Sequence, residues 1–276
     1  MQMPSPSELD ANAGVLAYWG SELCKYREKA QWSQKELAHR ISYSTSLVGL
    51  VETAKRAPTR EFAAKCDEVL ETGGALVRLW PLIGRDVYPV WFRPFVELER
   101  EARPLRSFQP VLVPGLLQTE DYARAVLRAG RPGDTDEQVE ELVAARMERQ
   151  RILTKPDPPM FWAILDEAVL IRPVGGPQVM RKQLEQLLEL VRRPRITIQV
   201  IPLDVGAHAG LTGAFVIASF RGSPDIVYLE TAAEGQIVNG PTEIETLLTQ
   251  LDALRACALP QSASVALMEK AMGSWT

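Results

Sequence analysis

Thr45 and Ser46 are adjacent hydroxyl residues that follow a third, Ser44, and precede a short apolar run. Ser44 is a good helix N-cap, so Thr45 and Ser46 open a helix. Val48 and Val51 point inward from it, and Thr45, Ser46 and Gly49 are left facing out near its N-terminus. Hydroxyls in that position can bond to base edges or to phosphates. A glycine there allows close approach or leaves room for a neighbour. Lys55 and Arg56 follow and supply positive charge for a phosphate backbone. The chemistry these residue types suit is contact with duplex DNA, in which phosphate contacts position the protein and base contacts specify the sequence.

Such a helix needs a partner to hold it in a groove, and residues just upstream fit that role. Ser33 and Glu36 form a Ser-x-x-Glu capping box. Leu37, Ala38 and Ile41 then fall on one face at helical spacing. Ala38 is small where a second helix must cross closely, and Ser42-Tyr43 breaks the pattern. Residues 34–53 therefore read as two short helices joined by a tight turn. In that geometry the N-terminal residues of the second helix meet base edges while the first helix crosses the backbone. Gln34 and Lys35 sit at the first helix's N-terminus, where free N–H groups and the helix dipole favour a phosphate. Helical patterns over 15–30, 60–70 and 75–83 complete an expected five-helix bundle, with Pro81, Gly84 and Pro89 marking its exit.

The stretch from Gln34 to Thr53, with Glu52 and the KRAPT run from Lys55, resembles the Xre/lambda-repressor class of helix-turn-helix regulators. The resemblance implies operator binding through Gln34, Lys35, Ser44, Thr45, Ser46, Gly49, Lys55 and Arg56. Three positions depart from that class. Ser42 replaces the usual turn glycine and Ala54 the usual glycine after the Glu, so both carry backbone strain if φ stays positive. Leu50 replaces a polar or basic residue late in the recognition helix. It either meets a thymine methyl or packs internally.

Composition narrows the setting. The chain has 276 residues, 46% apolar and 24% charged, as a globular protein of one large or two medium domains would. No run of 18 apolar residues is present, which argues against a membrane span. Residues 1–13 read as a disordered tail without the features of a secretory signal. Cys24, Cys66 and Cys257 form no CxxC pair, consistent with reduced thiols in a cytoplasm. Residues 14–83 hold ten Lys/Arg against eight Asp/Glu, and residues 84–276 hold 21 against 25. A weakly basic head implies a shallow salt dependence. Specific binding then requires two copies on two half-sites, so a homodimer is expected.

The remainder, 84–276, reads as an α+β domain with a mainly antiparallel sheet. Helices are expected over 91–102, 119–129, 135–153, 177–192 and 242–258, with a last short helix after Pro260. Thr135-x-x-Gln138 and Thr242-x-x-Glu245 look like capping boxes. Strands are expected at 160–165, 196–201, 213–220, 226–230 and 236–238. Residues 109–117, which contain Pro110 and Pro114-Gly115, read as loop or extended chain.

This region also carries a resemblance. Its signature is PFVELEREA, VLVPGLLQTEDYARAVL, LDEAVLIRPVGGPQVMRKQLEQLLEL, ITIQVIPLDVGAHAGLTGAFVIASF and VYLE, in that order. It looks like the C-terminal domain of unknown function that accompanies helix-turn-helix regulators in actinobacteria. Members are regulators linked to development and antibiotic production. Many are encoded beside a small protein thought to bind this domain, so the resemblance implies such a partner.

Catalytic signals are sparse. His39 reads as a solvated helix residue, and His208 lies in a loop read as flexible. One histidine without a nearby cysteine makes a poor zinc site. No G-x-S-x-G nucleophile signature is present. Asp166 and Glu167 suit a helix cap, and Gly175-Gly176-Pro177 suits a turn into a proline-initiated helix. No catalytic residue, metal or cofactor is expected. The apolar, glycine- and proline-rich segments 111–117 and 204–215 are candidates for a partner groove, with Val113, Leu116, Leu117, His208 and Phe215 as its residues; the alternative for each is plain core. The expected function is a two-domain transcription regulator that binds operator DNA and a small protein. The rivals are a small-molecule-sensing regulator, an enzyme with a DNA-binding appendage, and an antitoxin-like interaction protein.

Overall fold

The computed structural model describes residues 15–89, 91–231 and 234–275, with only the backbone at 81 and 83–87. The expected tail at 1–13 lies outside the described residues. The chain divides into two compact units, 1–89 and 90–276.

The first unit is helical: α1 (Val15–Lys29), α2 (Gln34–Ile41), α3 (Thr45–Glu52), α4 (Arg60–Val69) and α5 (Ala75–Val87). Trp19 and Leu23 of α1, Leu37 and Ile41 of α2, Val48 and Val51 of α3, and Phe62 and Cys66 of α4 form its core. The Ser33–Glu36 capping box is formed, and Thr59 caps α4. α5 has no side-chain cap of its own. Instead Asp67 of α4 accepts from the backbone N–H of Leu76 (2.9 Å) and Val77 (2.8 Å), supplying from a neighbouring helix the acceptor that helix starts need. α5 runs through Pro81 and Gly84 to Val87, beyond the exit those residues marked in the sequence.

The second unit holds α6 (Arg93–Glu101), β1 (Pro104–Gln109), α7 (Glu120–Gly130), α8 (Asp136–Arg149), β2 (Met160–Asp166), α9 (Ala168–Ile171), α10 (Pro177–Leu190), β3 (Ile196–Ile201), β4 (Phe215–Ala218), β5 (Ile226–Glu230), β6 (Gly235–Val238), α11 (Pro241–Cys257) and α12 (Gln261–Ser274). The strands form one sheet in the order β3-β2-β1-β4-β5-β6. β1 pairs parallel with β2, and β2 with β3. The pairs β1–β4, β4–β5 and β5–β6 are antiparallel.

The fold is α+β, but the sheet is mixed, which corrects the expectation of a mainly antiparallel one. The physical cause is β1. Its sequence, PLRSFQ, opens on proline and carries only Leu105 and Phe108 as large apolar residues, so it gives little strand signal. Once β1 is a strand, the helices between β1 and β2, and between β2 and β3, become the crossovers that parallel neighbours require. The Thr242–Glu245 box also fails to form: α11 starts on Pro241 after Gly240, with no side-chain cap.

Alternation along the strands sends side chains to two cores. Leu105, Phe161, Ala163, Leu165, Ile198 and Val200 face α10 and α12, meeting Met180, Leu184, Leu187 and Met268. Phe108, Ile164, Phe215, Ile217 and Val227 face α11, meeting Ile244, Leu251 and Leu254. The outer edge of β3 is covered near its end: Leu259 N–H donates to Val200 O (2.9 Å), and Val200 N–H donates to Ser264 Oγ (3.0 Å).

Candidate nucleic-acid interface and the loop end of the sheet

α2 and α3 are locked by a buried polar cluster. Glu52, at the end of α3, is fully buried. Arg27 of α1 donates to it from Nε (2.5 Å) and Nη2 (2.9 Å), and Gln34 Nε2 donates at 2.8 Å. The hydrogen bond to Glu52 holds the Arg27 guanidinium above its ordinary range, against the opposing effect of burial. The approach of α1 to α3 is close: a Cβ on Gly20 would stand 2.7 Å from Val51 O and 2.9 Å from Glu52 O. The sequence reading missed this cluster, although a signal was present. Trp19, Leu23 and Arg27 recur every four residues, and a charge on an apolar stripe needs a buried partner.

The turn between the helices is left-handed at Ser42 (φ 60, ψ 45), and Ala54 after α3 has φ 54. Both non-glycine residues carry the strain expected of them. The Ser42 N–H donates to the carbonyls of Ala38 and His39.

The structure separates the DNA-binding candidates by what their side chains already do. Ser44 Oγ accepts from Leu47 N–H (3.2 Å) and is committed to capping. Thr45 and Ser46 are exposed, and their hydroxyls have no hydrogen-bond partner among the described residues. Lys35, His39, Lys55 and Arg56 are exposed. Gln34 Nε2 is held by Glu52, and its backbone N–H, in the first turn of α2, is placed for a phosphate. Gly49 borders Gln34, whose Oε1 would lie 3.2 Å from a Cβ there. Leu50 is half-buried and stands outside the hydrophobic core of the unit. Arg40 lies over the Trp32 ring, 4.1 Å from its centroid.

In the second unit the loops after β1 and β3 meet the same end of the sheet, the carboxyl end of its parallel strands, where open α/β sheets place their ligands. The candidates Val113, Leu116, Leu117 and Phe215 are buried there. This is a correction: buried side chains cannot line an exposed groove, and these four are core. The His208 side chain is also buried, 2% exposed, although the residue lies in the loop after β3. Its Nε2 lies 3.1 Å from Asp166 Oδ2, its Nδ1 accepts from Gly210 N–H (3.2 Å), and its ring meets Phe108 edge-on. Asp166 Oδ1 also caps Ala168 N–H (2.8 Å), and Glu167 Oε2 accepts from Leu203 N–H (2.8 Å).

The loop after β1 is sutured by glutamines. Gln118 Nε2 donates to Val113 O (2.7 Å), and Gln150 Nε2 to Gly115 O (2.9 Å). Buried Gln183 of α10 donates to Leu117 O (2.8 Å) and accepts from Thr119 N–H (2.7 Å). The exposed large apolar side chains of these same segments are others: Val111 (47% exposed), Val205 (36%) and Leu211 (63%), with Leu203 (51%) just before the second. Burial could not be read from the segments themselves, because both kinds of residue are aliphatic.

A second buried ion pair holds α6 to α8. Arg149 Nε lies 2.8 Å from Glu99 Oε2. Burial nonetheless outweighs the Arg149 attraction and pushes the Glu99 carboxyl above its ordinary range. Burial likewise raises Tyr228, which stacks on Phe95 with ring centroids 4.4 Å apart. Among the described residues no three His, Cys, Asp or Glu side chains cluster as a metal site would need. No helix among them is long and apolar enough to cross a membrane.

Capped paired helices with an exposed hydroxyl-bearing N-terminus, joined in one chain to a mixed-sheet unit, define a helix-turn-helix protein with a C-terminal α+β domain. Consistent with that class, a family model described as a helix-turn-helix domain matches residues 20–80. A second model, described as a domain of unknown function (DUF5753), matches residues 92–270, more than half of the chain, and the chain belongs to that family. No curated protein and no solved structure matches it.

Proposed function

We propose that this chain is a sequence-specific DNA-binding transcription regulator of the Xre/lambda-repressor type. The observation that carries the reading is the exposed, unpartnered pair of hydroxyls at Thr45 and Ser46 on a helix clamped to α2 through Gln34, Glu52 and Arg27. Lys35, Lys55 and Arg56 surround it with exposed positive charge. Weak net positive charge favours two copies acting on two half-sites, and a cytoplasmic site of action follows from the DNA target. The test is a binding assay at controlled salt on enriched duplexes. Thr45→Ala with Ser46→Ala lowers specific affinity at least tenfold while the fold is retained. Unchanged affinity in a folded double variant overturns the base-contact role.

The second unit is proposed to receive a small, separately encoded protein that modulates DNA binding, and no catalytic role is assigned to it. Family resemblance supports a partner of this kind, and the exposure of Val111, Leu203 and Leu211 favours these loops as its docking surface. Loops carried on a rigid scaffold are where binding residues concentrate. Intact-complex mass spectrometry of the full chain purified from its native cells reads partner and stoichiometry together. A Leu203→Asp, Leu211→Asp variant that retains the same partner at the same occupancy refutes this placement.

A further inference from the structure

The exposed face of α3 is short of hydrogen-bonding groups. Positions 46, 49, 50 and 53 share that face at helical spacing, opposite the buried Val48, Val51 and Glu52. Its side chains are the Ser46 hydroxyl, nothing at Gly49, the isobutyl group of Leu50 and the side chain of Thr53. Thr53 Oγ1 donates to Gly49 O at 2.7 Å, so its hydroxyl proton is committed within the helix. The nearest amide, that of Gln34, is held by Glu52 at 2.8 Å. Leu50 is half-exposed and outside the core, which settles which of its two expected roles is open.

Two-point recognition of guanine or adenine in the major groove needs an Arg, Lys, Asn or Gln side chain, and cytosine is read by an acidic acceptor. None stands free on this face. The base-pair feature that an aliphatic side chain can read is the 5-methyl group of thymine.

We infer that α3 also reads a thymine methyl group in its DNA half-site, with Leu50 as the residue that meets it beside the Thr45 and Ser46 hydroxyls; this rests on the DNA-binding reading above. Ser46 adds a single hydrogen bond beside that contact. The half-site then has a preferred thymine at the Leu50 position.

The test begins with the full-length protein selecting from a randomised duplex DNA pool. Each invariant thymine of the enriched duplex is then replaced, one at a time, by deoxyuridine, which lacks only the methyl group. This change is made in the DNA and leaves the protein's folding untouched. One position is expected to lose about fourfold in affinity, the worth of one buried methyl group. In a Leu50→Ala variant the same replacement costs less than about 1.5-fold, because the group that met the methyl is gone. Deoxyuridine that is tolerated at every thymine, or that costs wild type and Leu50→Ala equally, overturns the inference while DNA reading stands. A pool from which no sequence is enriched overturns the DNA-binding reading and this inference with it.

Discussion

Removing the Glu52 carboxylate exposes how the helix pair is held. In Glu52→Ala, Arg27 loses two charge-assisted hydrogen bonds, at 2.5 and 2.9 Å. Its guanidinium keeps Trp32 O at 2.8 Å and the weak Cys24 Sγ acceptor at 3.3 Å. The exposed Glu28 carboxylate stays 3.8 Å away but makes no hydrogen bond to the guanidinium, and a buried charge that loses its hydrogen-bonded partner costs about 3–5 kcal/mol, against a total of about 5–15 kcal/mol for a typical domain. For a unit of this size each kcal/mol is worth roughly 4–8 °C, so the melting temperature of the first unit falls by at least roughly 12 °C. Hydrogen exchange on the full chain reads this locally: peptides from α1 and α3 lose protection, and peptides from the sheet unit serve as the internal control. Replacing both partners by apolar residues, Arg27→Met with Glu52→Leu, removes the stranded charge and recovers most of the loss. Gln34 is only half-buried and turns to water. The reasoning is refuted if Glu52→Ala keeps α1 and α3 within about 1 kcal/mol of wild type, or if the double variant is as weak as the single one.

Ser42→Gly relieves a left-handed residue at φ 60 and raises the stability of the first unit by about 0.5–1 kcal/mol in chemical denaturation, after the entropy cost of glycine is subtracted. Gln183→Leu strands the Thr119 N–H and removes one of two donors to Leu117 O; denaturation of the second unit shows a loss of about 2–3 kcal/mol. Glu99 has a raised folded-state pKa, so the folded state binds its proton more tightly than the unfolded state does. Its contribution to stability therefore grows as pH falls through the folded pKa and levels off below the ordinary carboxylate range. Glu99→Gln removes that slope, which appears as a difference between variant and wild-type melting temperatures across pH 7 to about 4.

The helix starts were legible because caps are local chemistry. Ser33–Glu36 and Thr135–Gln138 satisfy backbone donors within four residues of chain, and both boxes form. The strain at Ser42 and Ala54 was legible for a related reason, since a turn of fixed geometry leaves a side chain no other conformation. The strand β1 was not. Leu105 and Phe108 look like any two loop hydrophobics until β2 and β4 flank them, and that pairing spans separations of 56 residues to β2 and 107 to 113 to β4.

What the sequence by itself determined was the helix-turn-helix, its exposed hydroxyls and the division into a helical head and an α+β body, all of which rest on periodicity, capping and composition. Tertiary structure alone decided which aliphatic residues of the β1 and β3 loops are core and which are surface. It also decided that His208 joins Asp166, that Gln34 serves Glu52, and that the sheet is mixed. Each of these depends on contacts between residues distant in the chain, where burial and partner choice are set by the packing of whole elements rather than by neighbours in sequence.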